Sequence, residues 1–251
     1  MSGHSKWSTI KHKKAALDAK RGKLWSKVSR AVTMAAKAGG GNIDDNPRLR
    51  LEIDKAKGAN MPKDTIEKAI KKGTGELEGE SYEDVMYEGY GPGGVAVMAK
   101  GVTDKRARTG AEIKKLFERS GGNLGAPNCV AFQFQQKGVI VIPSENCSED
   151  QIMEIALEAG GEDVSSSELI HEVTTTPDTF EAVKKAVEDA GIEMSSADLS
   201  MVAMNTISLD VATARKTMRL IDALEEHDDI DDVYSNIDLS DEVIAELSKD
   251  A

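Results

Sequence analysis

The stretch GVIVIPSENCSEDQIMEIALEAGGEDVSSSELIHEVTTTPDTFEAVKKAVEDAGIEMS, residues 138–195, decides the fold. Its apolar residues keep switching period. Val139–Ile142 is a short apolar run bounded by glycine and proline, and predicts a strand. Glu149–Ala159 has apolar residues at helical spacing. Strands are expected near Asp163–Ser166 and over Leu169–Thr174. A helix should start at Pro177 and end by Gly191, with a last strand at Ile192–Ser195. The order β-α-β-β-α-β is that of a ferredoxin-like unit.

Each flank carries half of such a unit. Upstream, the turn Gly89–Gly94 precedes a predicted strand at Val95–Met98. A helix follows from Asp104 to about Ser120, with Ile113, Leu116 and Phe117 inward, then a strand at Val130–Phe134. Downstream come a strand at Met201–Leu209, a helix capped by Asp210 that runs through Glu226, and a strand at Ile230–Ile237. The halves complement one another. The expected organisation is a ferredoxin-like domain at 138–199 inserted into a second one split between 80–137 and 200–240. Simple tandem domains are the alternative.

Residues 1–75 form a different kind of domain. Residues 2–14 show no sustained period and read as a flexible arm. Leu24, Val28, Ala31, Val32 and Ala35 then share one helical face, and Gly39-Gly40-Gly41 stops the helix. A second helix has Asn46 as N-cap and Pro47 at its first position. A third has Pro62 near its start, Asp64 in its first turn and Lys68, Lys71 and Lys72 toward its end, where the helix dipole favours cations. The expected class is therefore α+β: an N-terminal three-helix domain followed by two ferredoxin-like domains, one inserted in the other.

Charge divides the chain at the same place. Residues 1–73 hold 18 Lys and Arg against 7 Asp and Glu, a net of +11, whereas residues 74–251 hold 14 against 37, a net of −23. A basic head on an acidic body suggests that the head meets a polyanion. Lys6, Lys11, Lys13, Lys14, Lys20, Arg21, Lys23, Lys27 and Arg30 accompany Trp7 and Trp25, with Asp18 as the one carboxylate among them. Many cations on an extendable segment, with aromatic rings interleaved, is what phosphate neutralisation requires. Trp25 borders the apolar stripe and is expected in the core. Lys105, Arg106 and Arg108 open a helix against its dipole, which points equally to a second contact surface or to salt bridges with the body.

Other chemistry finds little support. His4, His12, His171 and His227 have no paired metal spacing. Glu225–Asp232 (EEHDDIDD) lacks the glycine and terminal glutamate of an EF-hand loop. The glycine clusters at 89–94 and 121–125 lack the GK[ST] of a phosphate-binding loop and read as turns. No nucleophile, acid and base converge, so no catalytic residue, metal or cofactor is expected. Cys129 and Cys147 form no redox motif and are expected as reduced thiols in a cytoplasmic protein. With Val139–Ile142 as the longest strongly apolar stretch and no apolar core in residues 1–20, neither membrane span nor secretory signal is expected.

Four segments, GHSKWSTIKHKKAALDAKRGKLW, NMPKDTIEKAIKKG, YEGYGPGGVAVM and GGNLGAPNCVAF, resemble the YebC/PmpR family, and the likeness extends from Gly3 to about Ile237. The resemblance implies a helical N-terminal domain and two α/β domains. It implies a cytoplasmic transcriptional regulator that binds promoter DNA, or, following a mitochondrial relative that activates translation, a factor acting on ribosomal RNA. The chain departs from the family at Cys129-Val130-Ala131-Phe132-Gln133-Phe134, where a small residue followed by Val-Ala-Trp/Tyr-Met-Phe is usual. The preceding Ala126-Pro127-Asn128 replaces a commonly acidic loop.

Overall fold

A computed structural model describes residues 17–79 and 81–248. Within them, residues 17–129 and 216–233 form one compact unit, and residues 130–215 and 234–248 another.

The first unit opens with three helices: α1 (Leu17–Gly39), α2 (Pro47–Gly58) and α3 (Lys63–Gly73). Val28, Val32 and Ala35 on α1 are one stripe at helical spacing. They close a core with Leu49, Ile53 and Ala56 of α2 and Ile66 and Ala69 of α3. Asn46 caps α2 by accepting the Leu49 amide at 3.0 Å, and its own amide donates to the Ala35 and Gly40 carbonyls, tying the cap to the end of α1. Trp25 packs against this core, and its indole N–H donates to the Ala59 carbonyl at 2.9 Å, as expected of a core residue. At Gly73 a Cβ would strike the Thr33 carbonyl, so the end of α3 rests directly on α1.

The hairpin β1 (Glu83–Tyr90) and β2 (Ala96–Thr103) follows, antiparallel from Glu83↔Thr103 to Tyr90↔Ala96. Its turn holds Gly93 and Gly94 at φ of 74° and 77°. Next come α4 (Arg106–Arg119) and β3 (Asn123–Leu124), the latter paired with β1. The chain then builds β4 (Phe134–Pro143), α5 (Glu149–Glu158), β5 (Gly161–Ser166), β6 (Ile170–Thr175), α6 (Phe180–Asp189) and β7 (Ser196–Ala203). This sheet has the order β5-β6-β4-β7, with β4 antiparallel to both neighbours. That is the ferredoxin-like arrangement read from residues 138–195. Ile140, Ile142 and Val173 face Ile152, Val183 and Val187 of its two helices.

The remaining elements are β8 (Ile207–Ser208), α7 (Val211–Glu225), β9 (Ile230–Ser235), β10 (Ile237–Asp238) and α8 (Asp241–Ser248). Asp210 caps α7 through the Ala212 and Thr213 amides. Strand β9 joins the first sheet, whose order is β3-β1-β2-β9, while β8 and β10 form a separate parallel pair. The strands of the second sheet thus fall in the chain between those of the first.

The structure corrects three element assignments. The place in the first sheet expected for Met201–Leu209 is filled by β1, which precedes the sheet's other strands, so the third strand of that ferredoxin-like unit comes first in the chain. Residues 201–203 belong instead to β7, at the edge of the other sheet. An edge strand with no fully buried residue gives no clean alternation, which is why its start is displaced from Ile192–Ser195. Val130–Phe134 is not a strand: Ala131–Gln133 is a single 3-10 turn leading into β4.

Candidate nucleic-acid interface

Of the nine cations expected to meet a polyanion, Lys6, Lys11, Lys13 and Lys14 lie outside the described residues, and the side chains of Lys20 and Arg21 also lie outside what is described. Lys23, Lys27 and Arg30 stand on α1 at spacings of four and three, hence on one face. That face meets the end of α7 and the turn after it. The Lys23 ammonium donates to the Glu226 carbonyl at 3.2 Å and pairs with Asp228 at 3.1 Å. Lys27 donates to the Glu225 carbonyl at 2.6 Å. Arg30 donates to the Asp228 carbonyl and pairs with Asp229 at 2.9 Å. The final carbonyls of a helix have no intrahelical partner and carry its negative pole, so Lys27 and Lys23 satisfy those at the end of α7 while Arg30 holds the turn beyond it.

Asp229 is the hub of this contact. Its carboxylate, 4% exposed, accepts from Arg30 on one oxygen. The other accepts from Arg108 at 2.7 Å, Thr109 at 2.7 Å and Thr103 at 3.2 Å. Its backbone is pinned too: the carbonyl accepts the Val102 amide at 3.0 Å, and the amide donates to His227 Nδ1 at 3.1 Å. Gly101 permits that approach, because a Cβ there would collide with the Asp229 carbonyl. Burial pushes the Asp229 acid up, but hydrogen bonds from Thr109 and Arg108 and the charges of Arg108 and Arg30 outweigh it, leaving it below its ordinary value. Since His227 Nδ1 accepts an amide proton, its own proton sits on Nε2, which donates to Glu112 at 3.0 Å.

Two residues on, the logic reverses. Burial, reinforced by the neighbouring Asp232 carboxylate, pushes the Asp231 acid up to about 7, against the pull of Arg30 and Lys27. Its Oδ1 is buried without a hydrogen-bond partner. Burial likewise raises Glu52 on α2 and lowers Lys27. A cleft of about 600 Å³ beside the hub mixes Lys23, Arg30 and Arg108 with Asp104, Glu112, Glu226, Asp228 and Asp229, so carboxylates outnumber cations along its lining.

The structure therefore gives Lys23, Lys27 and Arg30 partners inside the chain. Arg108 and Arg106 are also paired, with Asp104 and Asp229 and with Glu83, which explains cations at the start of α4. Lys68 and Lys71 on α3 remain exposed. Sequence reasoning missed Asp229. The available signal was EEHDDIDD directly after a helix end, in a chain whose other half holds the surplus cations.

Among the described residues, no group of three or more His, Cys, Asp or Glu is placed to hold a metal, and no helix is long and apolar enough to cross a membrane. Cys129 and Cys147 are free, and burial raises both thiols. Fold and hub together define an α+β protein whose cation-bearing helical head is latched to one of two ferredoxin-like sheets. Its residues 5–76 match the TACO1/YebC protein N-terminal domain, and residues 82–237 match the TACO1/YebC second and third domain. The chain belongs to the TACO1/YebC family. It is 54% identical over 249 residues to a probable transcriptional regulatory protein of Rubrobacter xylanophilus, covering 99% of this chain and 100% of that one. It is 52% identical to another of that description from Desulforapulum autotrophicum, covering 97% and 98%. The crystal structure of a conserved hypothetical protein from Aquifex aeolicus superposes with a TM-score of 0.84 at 47% identity, covering 92% of this chain and 96% of that one.

Proposed function

We propose that the chain is a regulator of gene expression that binds nucleic acid, acting on transcription through DNA. The observation that carries this reading is the charge division, +11 in residues 1–73 against −23 in the rest. The names of the relatives from Rubrobacter and Desulforapulum support the regulatory part of it. Because Lys23, Lys27 and Arg30 already have partners, the contact falls to Lys6, Lys11, Lys13, Lys14, Lys20 and Arg21, with the exposed Lys68 and Lys71 as further candidates. A helix as basic as α1 without a single Asn or Gln reads bases poorly, so phosphate contacts dominate and sequence preference is weak. That feature suits ribosomal RNA equally well, and a translation factor working on the ribosome is the second reading.

The deciding measurement is the salt dependence of duplex DNA binding. Replacing Lys11, Lys13 and Lys14 by alanine should flatten the plot of log K against log salt by about 2–3, at roughly 0.9 per lost phosphate contact. An unchanged slope would remove these residues from the contact. Promoter footprinting against co-sedimentation with ribosomes separates the two readings.

A further inference from the structure

We infer that Phe132 and its neighbours on β4 and β7 form a stacking site for unpaired nucleobases, an inference that rests on the nucleic-acid reading above and names a second point of contact. Phe132 is 68% exposed, the most exposed of the large apolar side chains described. The ring is held outward by its neighbours: Val130 and Phe134 on either side are buried, and the 3-10 turn between them is closed by a 2.9 Å bond from the Gln133 amide to the Val130 carbonyl. The Gln133 carbonyl accepts the Met204 amide at 2.9 Å, bringing the half-exposed Met204 alongside. A rigid exposed ring loses little conformational freedom on binding.

The surroundings favour a polyanion's bases over other occupants. Residues 120–136 carry no charged side chain in a chain that is 30% charged, and neither do residues 199–209. The end of the first run pairs with the second, Phe134 opposite Ala203, Gln135 opposite Val202 and Gln136 opposite Met201. Of the other exposed apolar residues of the acidic part, Leu77, Met153, Leu157 and Leu169 each have a glutamate next to them in sequence, while Met86 and Tyr90, at 39%, are far less exposed than Phe132 and lie on the strand that carries Glu83, Asp84 and Glu88. Phe132 and Met204 have no carboxylate next to them in sequence, so this is a place where a phosphodiester chain is not repelled. Gln135, Gln136 and Asn205 are exposed and offer amide groups to base edges. One ring and one thioether match the footprint of a base or two, far below the roughly 800 Å² per partner of a stable protein interface.

The test uses the full chain with a short labelled single-stranded RNA and a duplex of the same sequence. Phe132→Ala should weaken the single strand about tenfold and the duplex hardly at all. The salt slope should not change, because the ring carries no charge. Phe132→Trp should retain affinity and gain an indole emission that the single strand quenches, beyond any change in the wild type. Circular dichroism should be unaltered in both. Equal single-strand affinity in Phe132→Ala with an unquenched Trp variant overturns the inference, as does an equal loss on both nucleic acids. Self-association abolished by Phe132→Ala with unchanged RNA binding would assign the patch to a second copy and overturn it as well. If the wild type binds neither nucleic acid at low salt, the underlying reading fails first.

Discussion

Asp229 and Asp231 lie two residues apart, beside the same helix, and their acids are displaced in opposite directions. Both are substantially withdrawn from water. Asp229 receives four side-chain donors from three elements, and the charged form wins. Asp231 is near Lys27 and Arg30, but those cations donate to other acceptors, and one of its oxygens is buried without a partner. Nearby positive charge does not hold a buried carboxylate in its charged form; directed donors do. The joint between head and sheet is therefore stabilised at one point and loaded at the next.

Breaking the stabilised point should have the largest effect. Asp229→Ala leaves Arg30 without its carboxylate and leaves the buried Thr103 and Thr109 hydroxyls short of an acceptor. It should cost about 4 kcal/mol, read as a lower midpoint in urea unfolding. A loss below about 1 kcal/mol would show that the α7 carbonyls alone hold α1. Relieving the loaded point should act in the other direction and reach a similar size only at alkaline pH. The folded-state acid of Asp231, at about 7, lies above its ordinary 3.8. Its contribution is fully present below that ordinary value, declines between about 4 and 7 at roughly 1.4 kcal/mol per pH unit, and is gone above 7. Glu52, also raised, adds a loss of the same sign. Asp229 works oppositely, protecting the fold above its ordinary value and failing as pH falls through its lowered one. Asp231→Asn should therefore stabilise the protein by about 4 kcal/mol at pH 8, have little effect near pH 4, and flatten the alkaline limb of the stability profile. A variant profile parallel to that of the wild type would remove Asp231 as its cause.

The same contrast explains what the sequence conveyed. The sheet of residues 134–203 was legible because its central strand β4 holds a short apolar run, Val139–Ile142, bounded by glycine and proline, and because its helices have distinct apolar faces. Caps at Asn46 and Asp210 were legible because a capping side chain acts on amides two or three residues away. The first sheet was harder. In β1, EDVMYEGY places a buried glutamate and a glycine where apolar residues would have announced a strand, and the sheet's last strand, β9, stands more than a hundred residues along the chain from β2, which it pairs. The Asp229 hub was illegible for a related reason. Its donors come from positions 30, 103, 108 and 109, and no local spacing pairs those with 229. Charge counting detected the surplus cations of α1 but could not tell an external polyanion from the protein's own helix end, since both present closely spaced oxygen acceptors.

Lys23 provides the finest test of that ambiguity, because its pair with Asp228 is the most exposed of the set, at 59% and 68% of the two side chains. Two charges in water at this separation attract weakly, and ordering a long ammonium side chain offsets much of the gain. Lys23→Ala should therefore change stability by less than about 0.5 kcal/mol, an effect that salt reduces further. Its informative readout is DNA binding. If Lys23 is committed to the α7 end, alanine there should leave the salt slope unaltered, while the Lys11, Lys13 and Lys14 replacement flattens it. A slope reduced by roughly 0.9 would show that Lys23 exchanges its internal acceptors for a phosphate. The acidic turn would then be a competitor for the same cation, and the division between a structural helix face and a nucleic-acid contact would have to be moved down α1.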